Sequence, residues 1–343
     1  MNDPSLLRAL RGESVSPPPI WLMRQAGRYL PEYRALRAKA GDFLTLCYTP
    51  EFAAEVTLQP IRRFGLDAAI VFADILLVPH ALGVGLRFAE GEGPKLDPIR
   101  DTAGLARLAD GASAAKKLAP VYETLSLVRA KLPGEVALIG FAGAPWTVAT
   151  YVVEGGGSPD QAAAKLWAYR DPKGFAQLID VLTEATIIYL ERQIEAGADA
   201  LQIFESWASG LSEPMFERLC IRPTARIVAA LKARHPRVPI IGFPRGSGVL
   251  AVRYAAETGV DAISLDPAQP IGWMRAQIKR PMALQGNLDP IALAAGGEAL
   301  GAAVRDILAA AKGTPFVFNL GHGIIPQTDP ANVQTLVDVV RGG

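Results

Sequence analysis

Short apolar runs rich in β-branched residues alternate along the chain with longer amphipathic stretches, the pattern of buried parallel strands separated by helices. Eight runs are strand candidates: 19–23, 68–73, 135–141, 200–204, 239–243, 262–265, 282–284 and 316–320. Helical patterning covers 50–64, 112–131, 174–196 and 214–233, and further helical stretches near 30–64 and 104–131 are expected outside the main alternation. Eight strands interleaved with helices predict an α/β protein, a single (β/α)8 TIM barrel with extra N-terminal helices, filling residues 1–343 as one domain. An open doubly wound sheet is the alternative, but it calls for a GxGxxG turn after the first strand, and none stands there.

A barrel of this kind carries its chemistry at the carboxyl ends of the strands. The first run leads into Arg24 and Arg28, the second ends at Asp74, and the third passes through Gly143 and Pro145 to Tyr151. Later ends supply Glu205 and Ser206, Arg245, Asp266, Gln285 with Asn287, and finally His322. These polar groups are expected to converge on one rim.

Composition narrows the class without choosing a function. Of 343 residues half are apolar, and the 33 glycines and 27 prolines are spread along the chain, as in a globular protein with a large core. A net charge of +1 gives no case for a nucleic-acid or membrane-surface partner. Cys47 and Cys220 lie far apart, which argues against a disulfide framework and suits a reducing compartment such as the cytoplasm. The opening MNDPSLLRALRGES lacks the apolar stretch of a secretion signal and reads as mature sequence. The most apolar region, 68–84, is interrupted by Asp74, Pro79 and His80 and falls short of the ~20 residues a membrane-spanning helix needs.

Arg24 and Arg28 stand four apart and become neighbours if their segment is helical, giving a paired guanidinium fork suited to carboxylates; ion pairing with Glu32 or another acid is the structural alternative. Asp74 interrupts the apolar run from Ile70 to Val78, where a carboxylate needs donors from a ligand or a cation, unless it caps a following helix. Tyr151 follows a small-residue stretch, Gly140 to Ala144, that lets a flat ligand approach the backbone, and it is as readily a core tyrosine. Ser206 has no GxSxG elbow, so it suits hydrogen bonding or helix capping rather than nucleophilic chemistry. His80, His235 and His322 form no close ligand pair, and no metal is implied. His322, between Gly321 and Gly323, is expected to face the rim; His235 reads as a solvated turn and His80 as a wall residue. The run from Glu154 to Asp160 lacks the GK[ST] of a phosphate loop and reads as a mobile rim loop. The strand ends hold no lysine for a Schiff base.

Six segments, WLMRQAGRYLPEYR, VFADILLVPHALG, GFAGAPWTVATYVVEGG, QIFESW, QGNLDP and FNLGHGI, together resemble the uroporphyrinogen decarboxylase family and span residues 21–324. The first and third are long and specific, whereas QGNLDP alone is weak. The resemblance implies a cofactor-free carboxy-lyase of haem and tetrapyrrole biosynthesis, acting as a homodimer, that converts the four acetate side chains of uroporphyrinogen III to methyl groups and releases CO2. It maps substrate binding onto Arg24, Gln25, Ala26, Gly27, Arg28, Asp74, Tyr151, Ser206 and His322, with Asp74, Arg24 and Arg28 as the catalytic set. Two rivals stand beside it: a zinc-dependent corrinoid or thiol methyltransferase of the same superfamily, and a non-catalytic tetrapyrrole carrier. Cys47 and Cys220 have no histidine at ligand spacing, which disfavours the first.

Overall fold

Seven strands pair in parallel around one curved sheet in the order β1 (Ala68–Ile70), β4 (Ala137–Gly143), β5 (Ala200–Glu205), β6 (Ile240–Pro244), β7 (Ala262–Ser264), β8 (Ala283–Leu288) and β9 (Phe316–Leu320). A separate antiparallel hairpin, β2 (Leu86–Ala89) and β3 (Gly93–Leu96), sits between β1 and β4 in sequence. The computed structural model describes residues 3–89 and 93–342, so the first two residues of the amino-terminal stretch, residues 90–92 and residue 343 lie outside it. The expected strand at 19–23 closes the barrel. Ile20 bridges Phe318 of β9 in parallel, and on its other side its carbonyl accepts from Asp67 N at 2.9 Å while its N–H donates to Asp67 Oδ2 at 2.8 Å. Pro17 to Pro19 supply no N–H groups before this point, which keeps the pairing short.

The helices follow their local chemistry. Pro50–Phe64 begins with proline, which costs no hydrogen bond in the first turn, and ends at Gly65 in the left-handed region at φ 60°. The expected helix 112–131 is two, Gly111–Lys117 and Ala119–Lys131, because Pro120 cannot continue the first ladder but starts the second well. The stretch 214–233 likewise divides into Glu213–Phe216, a wider π turn Glu217–Ile221, and Arg222–Arg234. Pro223 has no N–H to offer the carbonyl of Leu219 at α-helical spacing. The long helix Pro172–Glu195 is capped by Asp171, whose side chain accepts from Gly174 N at 2.9 Å. The extra N-terminal helices are Ser5–Leu10, Pro31–Ala40 and Phe43–Tyr48.

Two layers fill the barrel below its mouth. The lower is polar: Trp21 Nε1 donates to Gln285 Oε1 at 2.9 Å, and Gln285 Nε2 donates to Gln202 Oε1 at 2.9 Å and Ser264 Oγ at 3.1 Å. Gln285 is therefore a buried core group rather than the rim residue its place in QGNLDP suggested, because β8 runs on to Leu288 and the rim lies beyond it. Above it Phe141, Phe204 and Phe243 meet at ring separations of 5.5 and 6.2 Å. Their alternation fixes which way each strand end points.

Candidate active site

The segment after the first strand is a run of turns, not a helix, so Arg24 and Arg28 are not stacked one turn apart. Arg24 has φ 61°, a left-handed conformation uncommon for a side chain of its size and worth about 1–3 kcal/mol of strain. The neighbours hold it there. Met23 N donates to Asn319 Oδ1 and Met23 O accepts from Ile324 N, both at 2.9 Å. Gln25 is buried, its Oε1 accepting from Leu22 N at 3.0 Å and its Nε2 donating to Ala68 O at 3.1 Å; its side chain secures the loop. Among the described residues the N–H groups of Ala26, Gly27 and Arg28 donate to no acceptor, which leaves three successive backbone donors at the mouth.

The strain at Arg24 lays its side chain across Gly323. A Cβ built on Gly323 would fall 2.3 Å from Arg24 Cδ and 2.6 Å from Cγ. Gly321 is equally tight, its added Cβ falling 2.5 Å from Pro267 N. The glycines flanking His322 thus serve close approach rather than exposure. Gly323→Ala should displace Arg24 and lower kcat/KM by about 10-fold or more with an unchanged circular dichroism spectrum, on the scale of one lost charge-assisted contact. Native kinetics for that variant would show that Arg24 is not held by this contact.

Arg24, Asp74, Tyr151 and His322 come together. Asp74 follows β1 and spends one oxygen on Leu76 N at 2.8 Å, so it steadies the next turn without capping a helix: the helix Leu77–Ala81 starts later. Burial pushes its carboxyl pKa up, against the Leu76 N–H and the charge of Arg24. Tyr151 rises through burial too, opposed by Trp207, whose ring centroid is 6.1 Å from its own, and it feels both Asp74 and Arg24. His322 is driven down to about 3 by burial and by the fields of Arg245 and Arg24, so it is a neutral imidazole near pH 7, and its Nδ1 is buried without a partner. Ser206 is half-buried beside Trp207, its hydroxyl unbonded among the described residues. Arg28 stands further out and lends its field to Tyr33. Glu32 pairs with Arg63 at 3.2 Å, so it neutralises neither Arg24 nor Arg28.

Glu205 leaves the rim altogether. Phe204 faces inward, so Glu205 faces outward, wholly buried behind the wall, bonded by Thr147 Oγ1 and facing Cys220. Burial raises its pKa to about 8. Folded, it keeps its proton up to that point; unfolded, it ionises near 4.5. The unfolded chain then holds fewer protons between those values, so stability falls as pH rises through that window, by about 1.4 kcal/mol per pH unit at most. Glu205→Gln should gain stability relative to the parent as pH is raised from 5 to 8 in urea titrations; parallel stability curves would contradict this.

Other expectations resolve plainly. His80 Nδ1 meets Tyr48 Oη at 3.0 Å in the wall, and His235 lies 3.6 Å from Glu191 instead of standing free. In the run from Glu154 to Asp160, Gly155 caps the helix Pro145–Glu154 and accepts from Leu96 N, and Gly156 bridges Lys95 of β3. Cys47 and Cys220 are both buried, with thiols pushed up by burial, and among the described residues no three His, Cys, Asp or Glu side chains gather as metal ligands.

Comparison with known proteins adds an independent line. The sequence model of one family, described as uroporphyrinogen decarboxylase (URO-D), matches residues 1–343. The chain is 56% identical to a uroporphyrinogen decarboxylase of Chelativorans sp. (strain BNC1), covering 100% of this chain and 99% of the relative. It is 54% identical to one of Paracoccus denitrificans (strain Pd 1222), covering 100% of both. Among solved structures, a methyltransferase from Methanosarcina mazei shares the fold at TM-score 0.83 and 22% identity, covering 98% of this chain and 97% of that one.

Proposed function

The chain belongs to the uroporphyrinogen decarboxylase family, and from that premise we propose how its barrel mouth carries out the reaction. The protein is a carboxy-lyase that converts the four acetate arms of uroporphyrinogen III to methyl groups, giving coproporphyrinogen III and CO2. The observation that carries the assignment of roles is the Asp74 carboxylate beside the Arg24 guanidinium in an aromatic-floored mouth that bears further arginines.

The tetrapyrrole is a flat ring with carboxylates all round its edge. Arg24, Arg28 and the free N–H groups of Ala26 and Gly27 take those carboxylates, while the Phe141, Phe204 and Phe243 faces lie under the ring. Gln25 acts from behind by holding that loop. Asp74 turns its uncommitted oxygen to the pyrrole N–H groups. A proton adds to the pyrrole carbon next to an acetate arm; the electrons of the breaking C–CO2 bond then flow into the cationic ring. A second proton on the exposed arm carbon makes the methyl group, and loss of the first restores the pyrrole. The negative charge of Asp74 stabilises the cation that forms between these steps. Tyr151, Ser206 and neutral His322 orient carboxylates by hydrogen bonds.

The same reading takes residues 1–343 as one barrel domain and the working form as a cytoplasmic homodimer with facing clefts. Val249, Trp273 and Ile291 support the dimer: each is 41–68% exposed and stands at the start of a helix following β6, β7 or β8, beside the mouth. Two free, buried cysteines fit a reducing compartment. Anaerobic incubation of purified, metal-stripped protein with uroporphyrinogen tests the function, the oxidised products being separated by carboxyl number. Stepwise conversion to the tetracarboxylate is expected; binding without conversion would identify a carrier instead.

A further inference from the structure

Arg245 is the one strand-end arginine that the reading above leaves without a task. It directly follows β6, the fifth strand around the barrel counting from the 19–23 segment, so it enters the mouth diametrically across from Arg24 and Arg28, which follow the first. Alternation decides its direction. A Cβ on Gly242 would lie 2.5 Å from Tyr254 of the outer helix Leu250–Glu257, whereas Phe243 meets Phe204 inside, so Arg245 shares the inward parity of Phe243.

Its backbone is fixed and its charge is unspent. Arg245 N donates to Glu205 O and Phe243 O, both at 3.0 Å. The nearest loop acid, Asp266, has both oxygens engaged by other groups, Gly246 N at 2.8 Å and Ala268 N at 3.0 Å. Among the described residues the half-buried Arg245 guanidinium makes no ion pair and no hydrogen bond. A half-buried guanidinium that spends none of its N–H groups on the protein has donors left for a ligand carboxylate.

We propose that Arg245 is a further substrate-binding residue, a carboxylate anchor that grips the edge of the tetrapyrrole opposite Arg24 and Arg28. The inference rests on the functional reading above. A ring held only from the Arg24 side could tilt away from Asp74, and four successive decarboxylations require the ring to be re-seated in four orientations. Carboxylates lie on every edge, so an anchor across the mouth finds a partner in each orientation, the last product included. The charges of Arg245 and Arg24 both act on His322.

The test uses Arg245→Met, which keeps an apolar stem of similar reach, and Arg245→Lys, which restores the charge. KM for uroporphyrinogen under anaerobic conditions and Kd for coproporphyrinogen by equilibrium dialysis are compared with the parent. Arg245→Met should weaken both by about 10- to 100-fold, the span of one charge-assisted contact, with Arg245→Lys recovering part of the loss. A Kd and KM within twofold of the parent for Arg245→Met, in a preparation whose parent protein converts the substrate, would overturn the anchor. A parent protein that neither binds nor converts the tetrapyrrole would overturn the functional assignment, and the anchor with it.

Discussion

Asp74→Asn should lower kcat by about 100- to 1000-fold while leaving affinity for uroporphyrinogen within a few-fold of the parent, the size expected when one preorganised electrostatic group is removed from a transition state. Asparagine keeps the shape and an oxygen for Leu76 N, so the turn before Leu77–Ala81 survives and folding is not the variable. What is lost is the negative charge. The neutral ground-state ring needs only an acceptor for its pyrrole N–H groups, which the amide oxygen still offers; the protonated ring needs a counter-charge, which the amide does not. A loss confined to kcat therefore marks an interaction made only when the ring is cationic. Single-turnover kinetics beside equilibrium dialysis check the split, and near-native kcat would remove Asp74 from the chemistry.

Arg28→Ala should act the other way, raising KM for uroporphyrinogen by about 10- to 100-fold with a smaller change in kcat, the signature of lost ground-state binding. Arg28 is exposed at the outer mouth and forms no ion pair among the described residues, so truncation leaves no buried acid stranded. Its carbonyl remains clamped by Arg34 Nη1 at 2.8 Å, so the turn carrying it persists. Steady-state kinetics at two ionic strengths check this: the penalty should shrink as salt screens the contact. An equal fall in kcat would instead place Arg28 against the reacting arm.

The barrel and its rim were legible in the chain because buried parallel strands are short, apolar and regularly spaced, and seven of the eight expected runs recur within a few residues as paired strands. The eighth, 19–23, is recognisable only through its neighbours: one bridge at Ile20 and bonds to Asp67 close the ring. What escaped the sequence is which way a strand end points. Glu205 and Ser206 are adjacent letters, yet a period of two sends one behind the wall and the other into the mouth. Gln285 was misplaced for a related reason, since β8 is longer than its apolar run. The Arg24 and Arg28 pair failed as a helical fork because Arg24 takes a left-handed turn stabilised by Asn319 and Ile324, about 300 residues away, which no local pattern records. The antiparallel strands Leu86–Ala89 and Gly93–Leu96 leave a fainter trace in the chain, their short alternation and the Gly93-Pro94 pair.

In the proposed complex one mouth holds the ring with Asp74 beneath its pyrrole nitrogens and guanidinium groups around its edge. Crystals of the protein soaked anaerobically with coproporphyrinogen test it most directly, through the distances from the pyrrole nitrogens to Asp74. At least two nitrogens are expected at roughly 2.7–3.2 Å from the carboxylate, with propionates on arginines at both sides of the mouth. A ring bound elsewhere, or seated with Asp74 beyond hydrogen-bond reach of every pyrrole nitrogen, would contradict it.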